Sequence, residues 1–444
     1  MAEMSTASTE PKSGILCPAL MVAAPASNQG KTTITAAIAR YHRNAGRDVR
    51  VFKIGPDFLD PMILERASGN PVEQLDLWMV GEKECQRLLS EAAQCADLIL
   101  LEGVMGLFDG DPSSADLAAF FGIPIMLVID GSGMAQSIDA LVHGFTTYRS
   151  DLTFSGVLAN RVGSESHGSL LGESITTDIP YLGHFLRDTE ATLPDRHLGL
   201  VQAIEIDDLD RRLEKLSGQI DGTKLTELPK EIVFSAPAPF DTPKLLEGLN
   251  IAVAKDRAFS FIYPANIRCL KNMGAEVIEF SPLTDSAVPQ SDAIYLPGGY
   301  PELHLESLSQ NKTMHGSLKI AHDSGTPIVA ECGGLLFLLD ELQDYPMAGL
   351  LSGSATLNKK LSAIGLQFVE TGHGTLRGHT YHYSTLDTDL KETTRATSKR
   401  TGKPGEMVFC RDNLIASYVH FYFPSSPEAT AALFQRDNVQ KLFT

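Results

Sequence analysis

No apolar run in this sequence approaches the roughly 20 residues that a membrane-crossing helix needs, so no segment is expected to span a bilayer. Residues 1–14 also lack the apolar stretch of a secretory leader. They are rich in Ser, Thr, Glu and Lys, and are expected to form a disordered tail. Basic residues are outnumbered: 37 Lys and Arg face 55 Asp and Glu, a net charge of -18. That balance argues against a nucleic-acid backbone as partner, since phosphate contacts along a duplex need clustered cations. It leaves ATP binding open, because a nucleotide site supplies its positive charge locally. The six Cys (17, 85, 95, 269, 332 and 410) contain no CxxC pair. A disulfide framework or zinc site is therefore not expected, and a reducing cytoplasm is. In that setting a Cys in a special context is a nucleophile candidate, and the others read as small core residues. No internal repeat is visible.

What the chain does have is length and a regular pattern. With 444 residues, 43% hydrophobic and 21% charged, it is an ordinary globular sequence of two or three domains. Leu20–Ala24, Val49–Ile54, Leu98–Glu102, Ile125–Ile129 and Gly156–Asn160 are short continuous apolar runs. Helical patterns lie between them, such as 32–45. Such runs suit a parallel sheet covered on both faces, in a doubly wound α/β domain over 15–205. The pattern fades after Glu205. Residues 206–248 open with a charged helix-like stretch and end in Ser-Ala-Pro-Ala-Pro-Phe-Asp-Thr-Pro, which reads as a linker. A second βα series then fills 249–444. It has strands expected at Asn250–Ala254, Glu276–Phe280, Ala293–Leu296, Pro327–Ala330 and Leu414–Tyr418. In open α/β sheets ligands bind at the carboxyl ends of strands.

One such end is Ala24-Pro-Ala-Ser-Asn-Gln-Gly30-Lys31-Thr32-Thr33, placed between a strand and a helix. A loop there aims successive N–H groups and a helix N-terminus at phosphate oxygens. Lys31 would neutralise the β and γ phosphates of ATP, and the Thr32 hydroxyl would ligate Mg²⁺. Pro25 stands where a Gly usually opens this loop. The neighbouring strand ends supply Lys53, Asp57 and Asp60, then Glu102-Gly-Val-Met-Gly106-Leu-Phe-Asp109-Gly. Carboxylates opposite a phosphate loop are reasonable metal ligands, with Thr32, Asp57 and Glu102 as the expected set. A single acid at such a place reads equally well as a helix cap.

In the second half, Pro327-Ile-Val-Ala-Glu331-Cys332-Gly333-Gly334 is an apolar strand, a sharp turn and the start of an apolar helix. That is the layout of a nucleophile elbow. A helix N-terminus is expected to lower the thiol pKa. Alone, Cys332 would read as core. His420, at the end of a late strand, is the candidate base. Backbone N–H groups near Gly299 and at Gly333 are candidates for an oxyanion hole.

Together these strings resemble the cobyrinic acid a,c-diamide synthase family, including its hydrogenobyrinic acid members. The likeness runs from Met21 to Pro424. It includes Asn160-Arg161-Val-Gly-Ser, Leu193-Pro-Asp-Arg-His-Leu-Gly-Leu200, Phe280-Ser-Pro-Leu283, Pro297–Leu303 and Arg377-Gly378-His379 with His382-Tyr383-Ser384. The resemblance implies an N-terminal P-loop domain like dethiobiotin synthetase and a C-terminal class I glutamine amidotransferase-like domain. It implies ATP- and glutamine-dependent amidation of the a and c acetates of a corrin-type macrocycle, in cobalamin biosynthesis. It also implies Asp57, Asp60, Glu102 and Asp109 as functional carboxylates, Lys53 as a phosphate and substrate lysine, and Cys332 with His420 as the glutaminase pair. Arg161, Arg196 and Arg377 are guesses for attracting a polycarboxylate.

Some positions depart from the family's pattern. Asn28 and Gln29 replace frequent Gly and Ser, and Thr380 replaces a frequent Glu. Tyr422 stands two after His420, where many class I glutaminases carry the Glu that orients the His, a Glu that the cobyrinic branch usually lacks too. What orients His420 is thus left open. Nickel-sirohydrochlorin a,c-diamide synthase is the nearest alternative, and cobyric acid synthase is a weaker match. A partition-type switch ATPase would carry a second, upstream Lys where Ala26 stands. The intact Lys31, Cys332 and His420 argue against a degenerate binding protein. The oligomeric state is open, a homodimer among the options.

Overall fold

Apolar runs of five or six residues become strands here because a covered parallel sheet buries both faces of each strand. Leu98–Glu102 is buried at every position, and so are the first five residues of Ile125–Asp130. The structure, a computed structural model, describes residues 14–196, 199–237, 242–436 and 441–443. The expected tail, apart from Gly14, lies outside them, as do His197, Leu198 and residues 238–241 of the Pro-rich segment. The chain divides into two compact units, Met1–Pro239 and Phe240–Thr444.

The first unit is built on an eight-stranded sheet. Seven strands are parallel, in the order Glu73–Leu75, Val49–Ile54, Leu98–Glu102, Ile15–Ala23, Ile125–Asp130, Phe154–Val162, Tyr181–Leu186. Apolar side chains form a core against the Lys31–Asn44 helix and a second core around Ile129, Ile138 and Val142. The stretch expected as a linker belongs in part to this unit. Leu209–Ser217 is a helix whose Leu209, Leu213 and Leu216 sit in the same core as Ile34 and Ile38. Arg40 of the first helix reaches Asp210 (2.7 Å) and Glu214 (3.2 Å) on it. Glu231–Phe234 then pairs antiparallel with Ile15–Pro18 as the eighth strand. The charged face concealed a leucine stripe at i, i+4 and i+7 spacing, which is enough to dock a helix.

The second unit has a ten-stranded sheet. Five parallel strands come first, in the order Glu276–Phe280, Asn250–Ala254, Ala293–Leu296, Ile328–Glu331, Leu414–Ser417. Antiparallel strands continue it: Pro404–Arg411, Thr394–Ser398, Ala363–Thr371, Gly374–His382 and His420–Phe421. Only Tyr418 and Val419 separate the fifth strand from the tenth. The antiparallel half must therefore curl back on the parallel half, bringing residue 420 near the carboxyl end of Ile328–Glu331. Among the described residues no helix is long and apolar enough to cross a membrane.

Candidate functional site

In the first unit the loop 24–30 joins a buried strand to the Lys31–Asn44 helix. Gly30 has φ 94°, a left-handed value suited to Gly. A Cβ on it would lie 2.1 Å from the Asn160 Nδ2, which donates to Gln29 O at 2.9 Å. The two departures from the family pattern are thus held in place. Gln29 Oε1 accepts from Asp130 N (2.9 Å), and Asn28 O accepts from Arg161 Nη1 (2.8 Å). Arg161 also meets Asp130 Oδ2 at 2.7 Å, so it braces the loop rather than standing ready for a distant carboxylate. The side chain of Arg196 is not among those described.

Lys31 is buried and donates to Met105 O (2.6 Å) and Ala26 O (3.3 Å). Burial lowers its pKa, and the charge on Lys53 lowers it further, against the pull of Glu102, Asp60 and Asp109. Thr32 Oγ1 donates to Glu102 Oε1 at 2.7 Å. Thr33 follows in the same first turn, half-buried. Lys53, at the end of its strand, lies 2.6 Å from Asp60 Oδ2, 3.0 Å from Glu102 Oε1 and 3.8 Å from Asp57 Oδ2. Burial works against its charge, but Asp60, Glu102 and Asp57 outweigh burial and raise its pKa. Burial would also raise Asp60, yet Lys53 holds it below the ordinary carboxylate range. Burial, then repulsion from Asp60, pushes Asp57 up to about 8, and burial pushes Glu102 up to about 7.

The expected residues therefore converge, with differences. Asp57 also caps the Leu59–Ser68 helix, its Oδ1 accepting from Leu59 N (2.9 Å) and Asp60 N (3.1 Å). Asp109 is exposed and closes its own turn by accepting from Gly106 N at 3.0 Å. Among the described residues no group of three or more His, Cys, Asp or Glu is arranged to hold a metal unaided, since Lys53 sits among the acids. Thr32 and Glu102 fit Mg²⁺ better as a pair. Both offer oxygen, and buried Glu102 Oε2 has no hydrogen-bond partner among the described residues. Mg²⁺ characteristically takes one or two protein oxygens, with phosphate and water completing its octahedron.

In the second unit the strand Ile328–Glu331 turns sharply at Cys332, which has φ 46° and ψ -104°, and enters the helix Gly333–Leu338. A non-Gly residue held in this region is strained. The turn is fixed by Cys332 N donating to Ser417 O at 2.8 Å. Both glycines after it are required by space. A Cβ on Gly334 would lie 2.1 Å from Leu296 O, and one on Gly333 2.9 Å from Gly299 N. The Gly299 and Gly333 backbones are thus neighbours beside the thiol. Gly298 abuts the base, for a Cβ there would lie 2.2 Å from His420 Cε1.

Cys332 departs from the sequence expectation in its charge. Burial raises the thiol pKa, and Glu302, Glu406 and Glu331 add to this, outweighing the Gly333 N–H that lowers it. Burial holds His420 well below its ordinary value. The resting pair is therefore a neutral thiol and a neutral imidazole. The short helix does not offset burial.

Several supporting residues were given no role by the sequence, and Asn266 was not marked by it at all. Buried Glu331 accepts from Tyr295 Oη (2.8 Å) and from Phe421 N (3.1 Å), tying the elbow to the His420 strand. Asn266 holds the same segment from the other side, with Nδ2 donating to Phe421 O and Oδ1 accepting from Phe423 N, both at 2.8 Å. Thr380, in place of the family's Glu, donates to Glu406 Oε1 at 3.0 Å. His382 meets the same oxygen at 3.0 Å and stacks on Tyr418 with ring centroids 3.7 Å apart.

Both units have matches among known proteins. Residues 20–201 match a CobQ/CobB/MinD/ParA nucleotide binding domain, and residues 250–428 match a CobB/CobQ-like glutamine amidotransferase domain. A hydrogenobyrinate a,c-diamide synthase of Pseudomonas aeruginosa is 53% identical over 94% of this chain and 97% of its own. One of Stutzerimonas stutzeri is 54% identical over 94% and 98%. A cobyrinate a,c-diamide synthase of Herminiimonas arsenicoxydans is 46% identical over 94% and 96%. With such identity along nearly the whole of both chains, this chain belongs to the cobyrinate and hydrogenobyrinate a,c-diamide synthase family of glutamine-dependent amidating ligases.

Proposed function

We propose that this protein converts the a and c acetate carboxylates of hydrogenobyrinic or cobyrinic acid to amides, using ATP and glutamine, in the cytoplasm and within cobalamin biosynthesis. The observation that carries the reading is the strained Cys332 elbow against the Gly299 backbone, in a chain whose other unit holds a braced phosphate loop. The metal-free macrocycle is favoured over the cobalt form, because the relatives of that name share 53% and 54% identity against 46%.

Glutamine enters beside Cys332. His420 takes the thiol proton as sulfur attacks the carboxamide carbon, which suits a buried thiol that is not ionised at rest. The N–H groups of Gly299 and Gly333 receive the oxyanion. The protonated His420 then gives its proton to the leaving nitrogen, releasing ammonia and leaving a glutamyl thioester that water hydrolyses.

At the first unit Lys31 and Lys53 receive the phosphates of ATP. For Lys31 this means leaving the carbonyl of Met105. A carboxylate oxygen of the macrocycle attacks the γ phosphorus, ADP departs, and an acyl phosphate results. A free carboxylate resists attack by ammonia, whereas the acyl phosphate loses phosphate and becomes the amide. Thr32 and Glu102 would hold Mg²⁺, which when bound neutralises phosphate charge. Asp60 keeps Lys53 charged, and Asp60 and Asp57 keep it placed. Asp109 shapes the loop facing the phosphates.

The test is product mass spectrometry with ATP, Mg²⁺ and glutamine against hydrogenobyrinic acid, cobyrinic acid and nickel-sirohydrochlorin in separate reactions. A mass change of two amidations on one of the first two is expected. Turnover of nickel-sirohydrochlorin alone would overturn the substrate. Glutamine use at the wild-type rate by Cys332→Ala would overturn the two-site chemistry.

A further inference from the structure

Position 422 carries Tyr, not a carboxylate, so some other group must fix the plane of the His420 ring and tolerate the charge it gains. The strand His420–Phe421 pairs antiparallel with Gly374–His382, and the register sets His379 directly opposite His420. Directly opposed residues in such a ladder project from the same face with their side chains in contact. The two imidazoles accordingly stack, with centroids 5.0 Å apart and planes inclined by 18°. The far side of the stack is anchored: His379 Nδ1 lies 2.8 Å from the hydroxyl of Tyr263. Tyr422 packs edge-on against the Tyr263 ring at 5.6 Å. All four side chains are buried, His379 at 5%, His420 at 2%, Tyr263 at 1% and Tyr422 at 0% exposure. Burial pushes His379 down to about 3, so it stays neutral at any working pH, and its Nδ1 shares one hydrogen bond with the Tyr263 hydroxyl in a direction set by its tautomer.

We propose that His379, anchored by Tyr263, is the positioning residue for His420 and supports its imidazolium through the face of a neutral ring. The inference rests on the Cys332–His420 reading given above. When His420 takes the Cys332 proton, the new cation lies against the π face of His379, the favourable side of an aromatic ring for positive charge. The proton later leaves with ammonia, and His379 neither gains nor loses one. Tyr263 fixes the tilt of His379, as a carboxylate fixes its partner His in the hydrolytic triads. Tyr422 keeps Tyr263 in place, so the aromatic at 422 belongs to the arrangement that replaces the missing acid.

The support acts on a charge that exists only after proton transfer, so it is expected in kcat and not in the KM for glutamine. The experiment is steady-state glutamine hydrolysis by the full-length chain, with glutamine- and ammonia-dependent amidation compared for each variant. Tyr263→Phe removes a single oxygen and is expected to lower glutaminase kcat about tenfold with KM nearly constant. His379→Ala is expected to lower it by about 100-fold. His379→Phe keeps a flat ring but cannot hydrogen-bond Tyr263, and is expected to restore only part of the loss. In each, the ratio of glutamine- to ammonia-dependent turnover falls. Wild-type kcat in both Tyr263→Phe and His379→Phe overturns the inference, and so does a loss shared equally by the ammonia reaction. Cys332→Ala and His420→Ala separate the two readings. If these still use glutamine, the underlying Cys–His pair is wrong. If they do not, while Tyr263→Phe and His379→Ala do, only the role given to His379 falls.

Discussion

Gly298→Ala is expected to silence the glutaminase while leaving the protein folded. The glycine's φ is not positive, so alanine is conformationally admissible and the clash is the whole effect. Its Cβ would lie 2.2 Å from His420 Cε1, 2.9 Å from Nδ1 and 3.3 Å from Nε2. Ordinary contact begins near 3.4 Å, so the ring must retreat by about 1.2 Å. The alanine side cannot retreat, because Gly298 O is held by Phe261 N at 3.0 Å. The imidazole is held by its stack on His379 and is only 2% exposed. Misplacing a reacting group by about 1 Å costs about 100-fold in rate. The strain of overpacking is about 1–3 kcal/mol, which a domain of this size survives. Glutamine-dependent kcat is thus expected to fall by about 100-fold, with thermal unfolding showing a folded protein. Gly316→Ala is the matched control. It lies within the Lys312–Asp323 helix, and an added Cβ meets nothing within 4 Å. It should stabilise by about 0.5–1 kcal/mol and leave activity unchanged. A Gly298→Ala enzyme that hydrolyses glutamine within about threefold of wild type would show that His420 does not work from the position seen here.

Three further outcomes follow from the geometry. Lys53→Met removes the cation shared by Asp60, Glu102 and Asp57, and should abolish ATP-dependent amidation. It should destabilise the first unit by about 3–5 kcal/mol, read from the fluorescence of the single Trp78, and adding Asp60→Asn should recover part of that loss. Arg161→Ala frees Asn28 O and Asp130 from their brace, so the KM for ATP should rise about tenfold while ATP-independent glutamine hydrolysis is unaffected. Glu331 is pushed by burial from 4.5 up to about 8. The folded state then keeps a proton that the unfolded chain gives up, and its stabilising effect, full below about pH 4.5, is lost as pH rises towards 8. In Glu331→Gln the Tyr295 hydroxyl can turn to accept. Unfolding free energies from urea titrations between pH 5 and 8 should therefore lose up to about 1.4 kcal/mol per pH unit of slope relative to wild type.

The parallel half of each sheet was legible because its strands are buried on both faces and read as unbroken apolar runs. Val49–Ile54, Leu98–Glu102, Asn250–Ala254, Glu276–Phe280 and Ala293–Leu296 lie where the sequence puts them. The antiparallel half was not. Ala363–Thr371 and Gly374–His382 mix exposed and buried positions and carry polar residues on the wet face, so hydrophobicity alone does not mark them. The Leu209–Ser217 helix was legible as a charged helix-like stretch, but its charges hid the leucine stripe that docks it on the first unit.

The site divides along a related line. Gly30-Lys31-Thr32 and the Cys332 elbow are local: each needs only a strand, a turn and a helix in sequence, and each was readable. What holds them is contributed across strands, by Asn160 and Arg161 at the phosphate loop and by Glu331, Asn266 and His379 at the base. None of these partners lies near its target in the chain, so no spacing rule finds them. The Asn160-Arg161 string, the elbow string with Glu331 and the Arg377-Gly378-His379 string did mark four of them, without a reason; for His379 the reason lies in its strand. The ladder supplies the reason: a Cβ on Gly378 would lie 2.1 Å from His420 O, so only glycine lets that strand approach closely enough to lay the His379 ring on His420. The string and the Tyr at 422 are two parts of one arrangement. A base whose partner is a stacked neutral ring needs a close-packed ladder where a base with a carboxylate partner needs only one well-placed oxygen.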